Sequence, residues 1–271
     1  MEISIVLVII GLLVGGILVG QALITAAQIR AQIAQLEKFN QAANTFHTKY
    51  GALPGDMGPQ TAAAFGFTAR TGKPGLGDGN GIVMGYFYQT TLPIAACYLA
   101  GEAELFWMDL AQALLIPGNY NNNFMFDGSF TVPGSALSNW LPPAMIGSQT
   151  YIAVIGTADT TLVNSAGAQG GTDYYAIESI QSGKADGEGI KTSTAIAVVD
   201  AYNMDLKIDD GMPTTGNVLA AYIANATDTL SFVAGANPAT TTSCYDSGTL
   251  TYATSAAGSR INCSLIIKAQ F

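Results

Sequence analysis

The most restrictive feature of this sequence is its opening, where 27 uncharged residues separate Glu2 from Arg30. As an α-helix rising about 1.5 Å per residue, this run is about 40 Å long, enough to cross the hydrocarbon core of a bilayer. Its most apolar part extends from Ile3 to Val19. A cleaved secretory signal has a basic segment before its apolar run and ends soon after it, and neither holds here. We therefore expect the run to lie in a membrane or to bundle with other apolar helices.

The helical pattern continues past Arg30, with apolar residues three or four positions apart from Ile29 to Phe46. A polar stripe lies between them and contains Gln32, Gln35, Lys38 and Gln41. One helix is predicted from residue 2 to about 50, ending where Gly51 and Pro54 follow. We call it the spike helix: residues 1–50, with 1–29 as the membrane or filament-core segment. Residues 51–271 form the predicted globular head.

Glycines four apart mark the apolar half of the spike helix. They form two pairs, Gly11 with Gly15 and Gly16 with Gly20. In an apolar medium such pairs let two helix backbones approach closely, which predicts helix packing at these four residues. They would also make the helix easier to bend, because each glycine costs about 1 kcal/mol relative to alanine. The two interpretations are compatible.

This region resembles the type IV pilin and type II secretion pseudopilin family. The resemblance rests on "EISIVLVIIGLLVGGIL", a glutamate followed at once by an apolar helix, and on the amphipathic continuation and glycine–proline break. The "LPGDM" at 53–57 is also similar to many prepilin-type proteins. The specific match covers about the first 57 residues, and the remaining 214 match only loosely. The family often has a proline within the spike helix, whereas here the first proline is Pro54.

The resemblance implies a function in assembly rather than catalysis. In the family, a prepilin peptidase removes a basic leader, the new terminus is methylated, and the glutamate neutralises the terminal amine of a neighbouring subunit. Glu2 matches that glutamate, although only Met1 precedes it in this sequence. The implied partners are further copies of the chain, the inner membrane before assembly, the pilus assembly machinery and the peptidase. The implied destination is an extracellular filament at the cell surface.

Two other functions stay open at this stage. The chain could be a pseudopilin that acts as a secretion piston, or a membrane-tethered binding module with an N-terminal anchor. The size of the head and its Thr/Ser-rich, lightly charged sequence favour the filament. A tethered module would need a cleft with convergent polar groups, which the sequence does not indicate.

The head is predicted to hold short helices followed by strands. "GEAELFWMDLAQALLIPG" (101–118) indicates an amphipathic helix with Leu105, Phe106, Leu110, Ala113 and Leu114 on its apolar face, and 192–209 indicates a second helix. Strands are expected at 150–156, 173–181 and in four later segments that begin near 218, 228, 248 and 261. This order predicts an α+β fold, with an antiparallel sheet laid on the spike helix.

Composition excludes several classes of function. The net charge of −9 and the low isoelectric point argue against nucleic acid as a partner, because phosphate binding needs clustered Lys and Arg. His47 is the only histidine, and the most economical interpretation is a surface or docking residue. The glycine-rich run 75–81 lies outside any strand–helix–strand pattern, so it is a weak nucleotide signal. We expect no enzyme activity and no catalytic residue.

Cysteines and acidic loops supply the remaining candidates. Of the three cysteines, Cys244 and Cys263 are the expected disulfide, leaving Cys97 single; the alternative is that all three stay reduced. Asp205, Asp209 and Asp210 are the candidate metal ligands, because carboxylates four apart on a helix repel and a hard cation such as calcium would relieve that. The sequence favours the alternative, a solvated helix end followed by a turn. "GDGNG" offers a fragment of a calcium loop at Asp78 and Asn80.

Overall fold

The fold is described from a computed structural model of the chain. The described residues are 2–73, 75–86, 93–94, 100–120, 131–157, 170–184, 191–221 and 235–271. Cys97 and the strand predicted near 228 lie outside them.

The first element is one unbroken helix, α1, from Glu2 to Tyr50. Gly51 ends it by adopting a left-handed conformation, with φ of 74°, and by donating its N–H to the carbonyl of His47. Side chains from Val6 to Ile24 are almost all exposed, whereas every third or fourth residue from Ile29 onward is buried. We call residues 2–28 the free half of α1 and residues 29–50 its head-bound half.

Short elements follow α1 on the way to the sheet. They are α2 (Pro59–Phe65), β1 (Gly85–Tyr86), β2 (Pro93–Ile94) and α3 (Glu102–Gln112). The amphipathic pattern expected for α3 is wrong, because every residue from Glu102 to Leu110 is buried, carboxylates included. The helix also ends before the expected apolar face does: Leu114 lies beyond it, with φ of 58° and 90% of its surface exposed.

The rest of the head is mostly strands. The elements in chain order are β3 (Thr131–Pro133), a 3-10 helix (Gly134–Asn139), β4 (Thr150–Thr157), β5 (Thr172–Lys184), β6 (Lys191–Ser193), β7 (Ile196–Ala197), α4 (Val198–Ile208), β8 (Val218–Ala221), β9 (Gly235–Ala236), β10 (Tyr245–Asp246), β11 (Thr251–Tyr252), α5 (Thr254–Ala257) and β12 (Ile261–Lys268). The strand expected from 248 shrinks to β11, because α5 begins directly after it.

An antiparallel sheet forms the centre of the head, with β4, β5, β12 and β8 side by side in that order. One row of paired residues crosses all four strands: Ile152, Ile177, Leu265 and Ala220. Neighbouring rows are buried as well, so both faces of these strands are covered, which explains their nearly continuous apolar sequences. A long helix with a sheet-containing head is the α+β fold that the sequence predicts.

Aromatic side chains join α1, α3 and the sheet. The Trp107 ring on α3 lies 4.9 Å from Phe39 of α1 and 6.4 Å from Tyr175 of β5. Phe106 packs 5.3 Å from Phe271 at the end of the sequence. The apolar stripe of the head-bound half therefore meets α3 and the sheet in one aromatic core.

Polar side chains of α1 fix its position along the head. Gln32 is fully buried and accepts the N–H of Met145 at 2.7 Å, so it does not belong to the solvent-facing stripe where the sequence placed it. Gln35 donates to the carbonyl of Pro143 at 2.9 Å. Further along, Asn44 donates to the carbonyl of Gln270, and Asn40 accepts the N–H of the same residue.

We expect the packing of α3 to dominate the stability of the head. Leu110→Ala removes a fully buried side chain and should lower the free energy of unfolding by about 2–5 kcal/mol. Leu114→Ala is the matched control, since the same substitution four residues later changes an exposed side chain and should shift stability by about 0.5 kcal/mol or less. Denaturant unfolding of the full chain in detergent measures both. Equal effects would contradict the assignment of α3 to the core.

Candidate functional site

The largest candidate surface is the free half of α1. Its large apolar side chains are all at least half exposed from Val6 to Ile24, and no residue of its most apolar window is buried. By length and composition, α1 is long and apolar enough to cross a membrane. Such a surface is stable only in lipid or against other apolar surfaces.

The four glycines predicted to mediate packing lie within this free half. A Cβ atom built on any of Gly11, Gly15, Gly16 or Gly20 would meet nothing within 4 Å. Their lack of a side chain therefore serves no contact inside the subunit, and each weakens the isolated helix slightly. Glu2 begins the same helix, at its free end.

A second candidate lies where α1 enters the head. Residues 75–84, which we call the glycine loop, wrap around three buried carboxylates from three different elements. Asp56 comes from the turn after α1, Glu102 begins α3, and Asp173 lies at the start of β5. We call the glycine loop and these three carboxylates the clasp.

Consecutive backbone amides of the glycine loop donate hydrogen bonds to the three carboxylates in turn. Gly77 and Asp78 donate to Glu102, at 2.7 and 3.2 Å. The next three amides, from residues 79 to 81, donate to Asp56 at 2.7–3.1 Å. Val83 donates to Asp173, and Met84 returns to Glu102.

Ile82 completes the series, because its amide donates to the side chain of Asn80 at 2.8 Å. All eight amides from residue 77 to 84 therefore donate to side-chain oxygens. A segment without strand or helix partners satisfies its buried donors in this way.

Glycines are required where the chain enters the clasp. Gly55 has φ of 83°, and a Cβ atom there would overlap the carbonyl oxygen of Glu102. Its N–H donates to Asp109 of α3 at 2.7 Å, and its carbonyl accepts from Arg70. Arg70 and Asp109 form a fully buried bidentate ion pair, with nitrogen–oxygen distances of 3.0 and 2.8 Å. The "LPGD" segment is thus bonded to α3 and to the glycine loop at once.

The clasp places several carboxyl groups away from water, and their burial opposes ionisation. Burial raises the pKa of Glu102 to about 8, and the nearby charges of Asp56 and Asp78 add to the rise against the opposing effect of the loop amides. Burial likewise raises the pKa of Asp173 to about 7 and that of Asp56 to about 6. Nearby on α3, burial raises the pKa of Glu104 well above its ordinary value.

The acidic segment after α4 holds the three predicted metal ligands. One carboxylate oxygen from each of Asp205, Asp209 and Asp210 lies within 4.8 Å of the others. Asp205 is fully buried and accepts the hydroxyl of Tyr252 and the N–H of Gly211. Asp209 lies just past the helix end rather than on its face, and accepts the N–H of Asn217.

This geometry could hold a hard cation, since carboxylate oxygens converge and Asp210 is exposed to solvent. The same hydrogen bonds also explain the cluster without one. The carboxylates of Asp56, Asp78 and Glu102 converge within the same 4.8 Å, with loop amides as their partners in the structure.

The cysteines and the histidine have structural positions. Cys244 and Cys263 form the disulfide that the sequence predicts, which ties the segment before β10 to β12. His47 is exposed on the head-bound half of α1, in its last turn. Neither the disulfide nor His47 contributes to the clasp.

Sequence reasoning found the pieces of the clasp without joining them. "LPGD" carries a family resemblance, and "GDGNG" resembles a fragment of a calcium loop. Glu102 and Asp173 carried no local signal, because each looks like an ordinary surface acid on a helix or strand. The available signal was the excess of glycine in 75–81, which implied a loop that must approach other backbone closely.

Comparison of the chain with models of protein families, with curated proteins and with solved structures found no match.

The buried carboxylates predict an unusual pH dependence. Because their folded-state pKa values lie above the ordinary value near 4, the folded chain holds more protons than the unfolded chain, and stability should fall as pH rises from 4 to 8. Glu104→Gln tests this cleanly, because neither Glu104 oxygen has a hydrogen-bond partner within the described residues. The variant should flatten the slope of stability against pH, by at most about 1.4 kcal/mol per pH unit.

Unfolding of both proteins in chelator between pH 4 and 8 measures this slope. Glu37→Gln, an exposed acid on α1, is the control and should keep the wild-type slope. A wild-type stability that rises with pH across this window would contradict the assignment.

A cation at the acidic segment after α4 should raise the melting temperature in calcium relative to chelator. Asp210→Asn removes one ligand and should abolish the calcium effect. Asp246→Asn is the control, because Asp246 accepts loop amides elsewhere on the head. Equal melting temperatures in calcium and in chelator would exclude the cation. A calcium effect that survives Asp210→Asn would place the ion elsewhere, and the clasp would be the next position to test.

Proposed function

We propose that this chain is the structural subunit of an extracellular type IV pilus-like filament. The observation that carries the proposal is the free half of α1, whose large apolar side chains are at least half exposed from Val6 to Ile24 and whose most apolar window has no buried residue. Before assembly it would anchor the chain in the inner membrane. In the filament it would bundle with copies of itself, and the heads would form the outer layer.

The positions of the glycines support a polymer rather than a dimer. At about 100° per residue, the pair Gly11 and Gly15 faces about 140° away from the pair Gly16 and Gly20. One small-residue face favours a closed two-fold pair, whereas two faces pointing in different directions let each helix bind two neighbours. A heterologous interface joins two different surfaces of the same subunit. If successive contacts of this kind do not close into a ring, they extend into a helical filament.

Glu2 has a specific part in this proposal. At the end of an apolar helix, its carboxylate is costly unless a partner neutralises it. The terminal amine of a neighbouring subunit is the partner that the resemblance to pilins implies. Prepilin peptidase and the assembly machinery of the inner membrane would then be the proteins that process and polymerise the chain.

The test is to shear cells that express the protein, to image the released material by electron microscopy and to identify the chain in any fibre. Surface fibres containing it support the filament. Confinement to the periplasm would favour a pseudopilin piston, and retention as a monomer in the membrane would favour a tethered module.

Variants of the free half sharpen the test. Gly15→Leu and Gly16→Leu should leave membrane insertion and head folding intact, because a Cβ atom at either glycine meets nothing within 4 Å among the described residues, but should reduce fibre yield at least about tenfold. Glu2→Ala should behave in the same way. Ile17→Leu is the control, since it keeps an exposed apolar side chain, and should assemble normally. Normal yield from the glycine variants would remove them from the interface.

A further inference from the structure

The glycine loop contains the sole Asn-Gly dipeptide of the sequence, Asn80–Gly81. This dipeptide is the most reactive one in proteins toward deamidation, because glycine has no side chain to hinder attack by its own backbone nitrogen. In that reaction the Gly81 nitrogen loses its proton and bonds to the side-chain carbonyl carbon of Asn80. The bond from that carbon to Nδ2 breaks, and ammonia leaves with the proton. Water then opens the succinimide ring to aspartate or isoaspartate.

Exposure alone would allow the reaction, since both residues are exposed on the loop. The geometry of the clasp opposes it. The Gly81 N–H donates to Asp56 Oδ2 at 2.7 Å, which holds in place both the proton that must leave and the nitrogen that must approach the Asn80 side chain.

The Asn80 side chain is held at both ends as well. Its Oδ1 accepts the N–H of Ile82 at 2.8 Å, and its Nδ2 donates to Asp78 at 3.0 Å. The nucleophile and the electrophile are therefore each fixed by a separate hydrogen bond, and ring closure requires the loop to open.

We propose that Asn80 is a latent self-modification site gated by Asp56. While the clasp is closed, Asn80 persists; when the loop opens, it deamidates. The product replaces the Nδ2–H donor with a carboxylate beside Asp78, in a cluster where three further carboxylates are already buried. Repulsion between the two carboxylates then prevents the loop from closing again, so the modification acts in one direction.

The experiment incubates the full chain in detergent at neutral to mildly alkaline pH. Peptide mass spectrometry follows the gain of about 1 Da at Asn80 that deamidation produces. A synthetic peptide of residues 75–84 sets the unprotected rate. Wild type should react at least about tenfold more slowly than the peptide, and Asp56→Asn should approach the peptide rate.

Asp246→Asn is the matched control, because Asp246 also accepts three backbone amides but lies outside the clasp. It should react as slowly as wild type. Wild type reacting as fast as the peptide would overturn the proposal. The proposal would also be overturned if Asp56→Asn deamidates slowly although its Gly81 amide exchanges freely with solvent.

Two measurements keep the test decisive if Asp56→Asn does not fold. In wild type, mild denaturant should raise the deamidation rate in proportion to the hydrogen exchange of residues 79–81, and independence of the two rates would overturn the gating. Asn80→Asp imitates the product and should speed hydrogen exchange across 77–84. Unchanged exchange would overturn the one-directional step.

Discussion

The free half of α1 imposes the constraint on which the rest of the structure depends. About 40 Å of helix with apolar side chains on every face cannot remain in water, and the head supplies no cover for it. The head instead grips only the part of α1 that has an apolar stripe. Ile29, the first fully buried residue in the described part of the helix, marks the boundary between the part that the head covers and the part that it leaves exposed.

Holding such a helix demands more than apolar packing. An apolar stripe resists separation from the head but permits sliding, because apolar contacts are not directional. The hydrogen bonds of Gln32 and Gln35 with 143–145, and of Asn40 and Asn44 with Gln270, fix the axial position. The Arg70–Asp109 pair and the clasp then fix the chain that leaves the helix to α3 and the sheet.

The sequence predicts the secondary-structure elements in which the periodic apolar residues are the ones that the fold buries. It predicted α1, the strands β4, β5 and β12 and the disulfide, because each is long or locally signalled. It also predicted α4, but the helix begins at Val198 rather than at 192, since β6 and β7 occupy most of the intervening residues. It misjudged α3, whose pattern looks amphipathic only if Glu102, Glu104 and Asp109 are assumed to face water. Two of those carboxylates have buried partners distant in sequence, since Asp109 meets Arg70 39 residues away and Glu102 meets the amide of Met84 18 residues away. Contacts of that kind have no local period, so no window of sequence reveals them.

The clasp also shows why a chain with few charges can bury several of them. Replacing an acid in the clasp with an apolar residue would leave up to three loop amides without acceptors, and each unsatisfied buried donor costs about 1–3 kcal/mol. Hydrogen bonds from several amides, rather than from one, offset the free-energy cost of burying each carboxylate. The raised pKa also favours protonation of the carboxylate, which lowers the buried charge further. The glycines complete the arrangement, since Gly77, Gly79 and Gly81 adopt φ of 75–82°, a backbone conformation that other residues rarely adopt. The buried acids and the glycines therefore act together: the acids accept the loop amides, and the glycines allow the loop conformation that presents those amides. In this way a loop without strand partners packs against the end of a long helix.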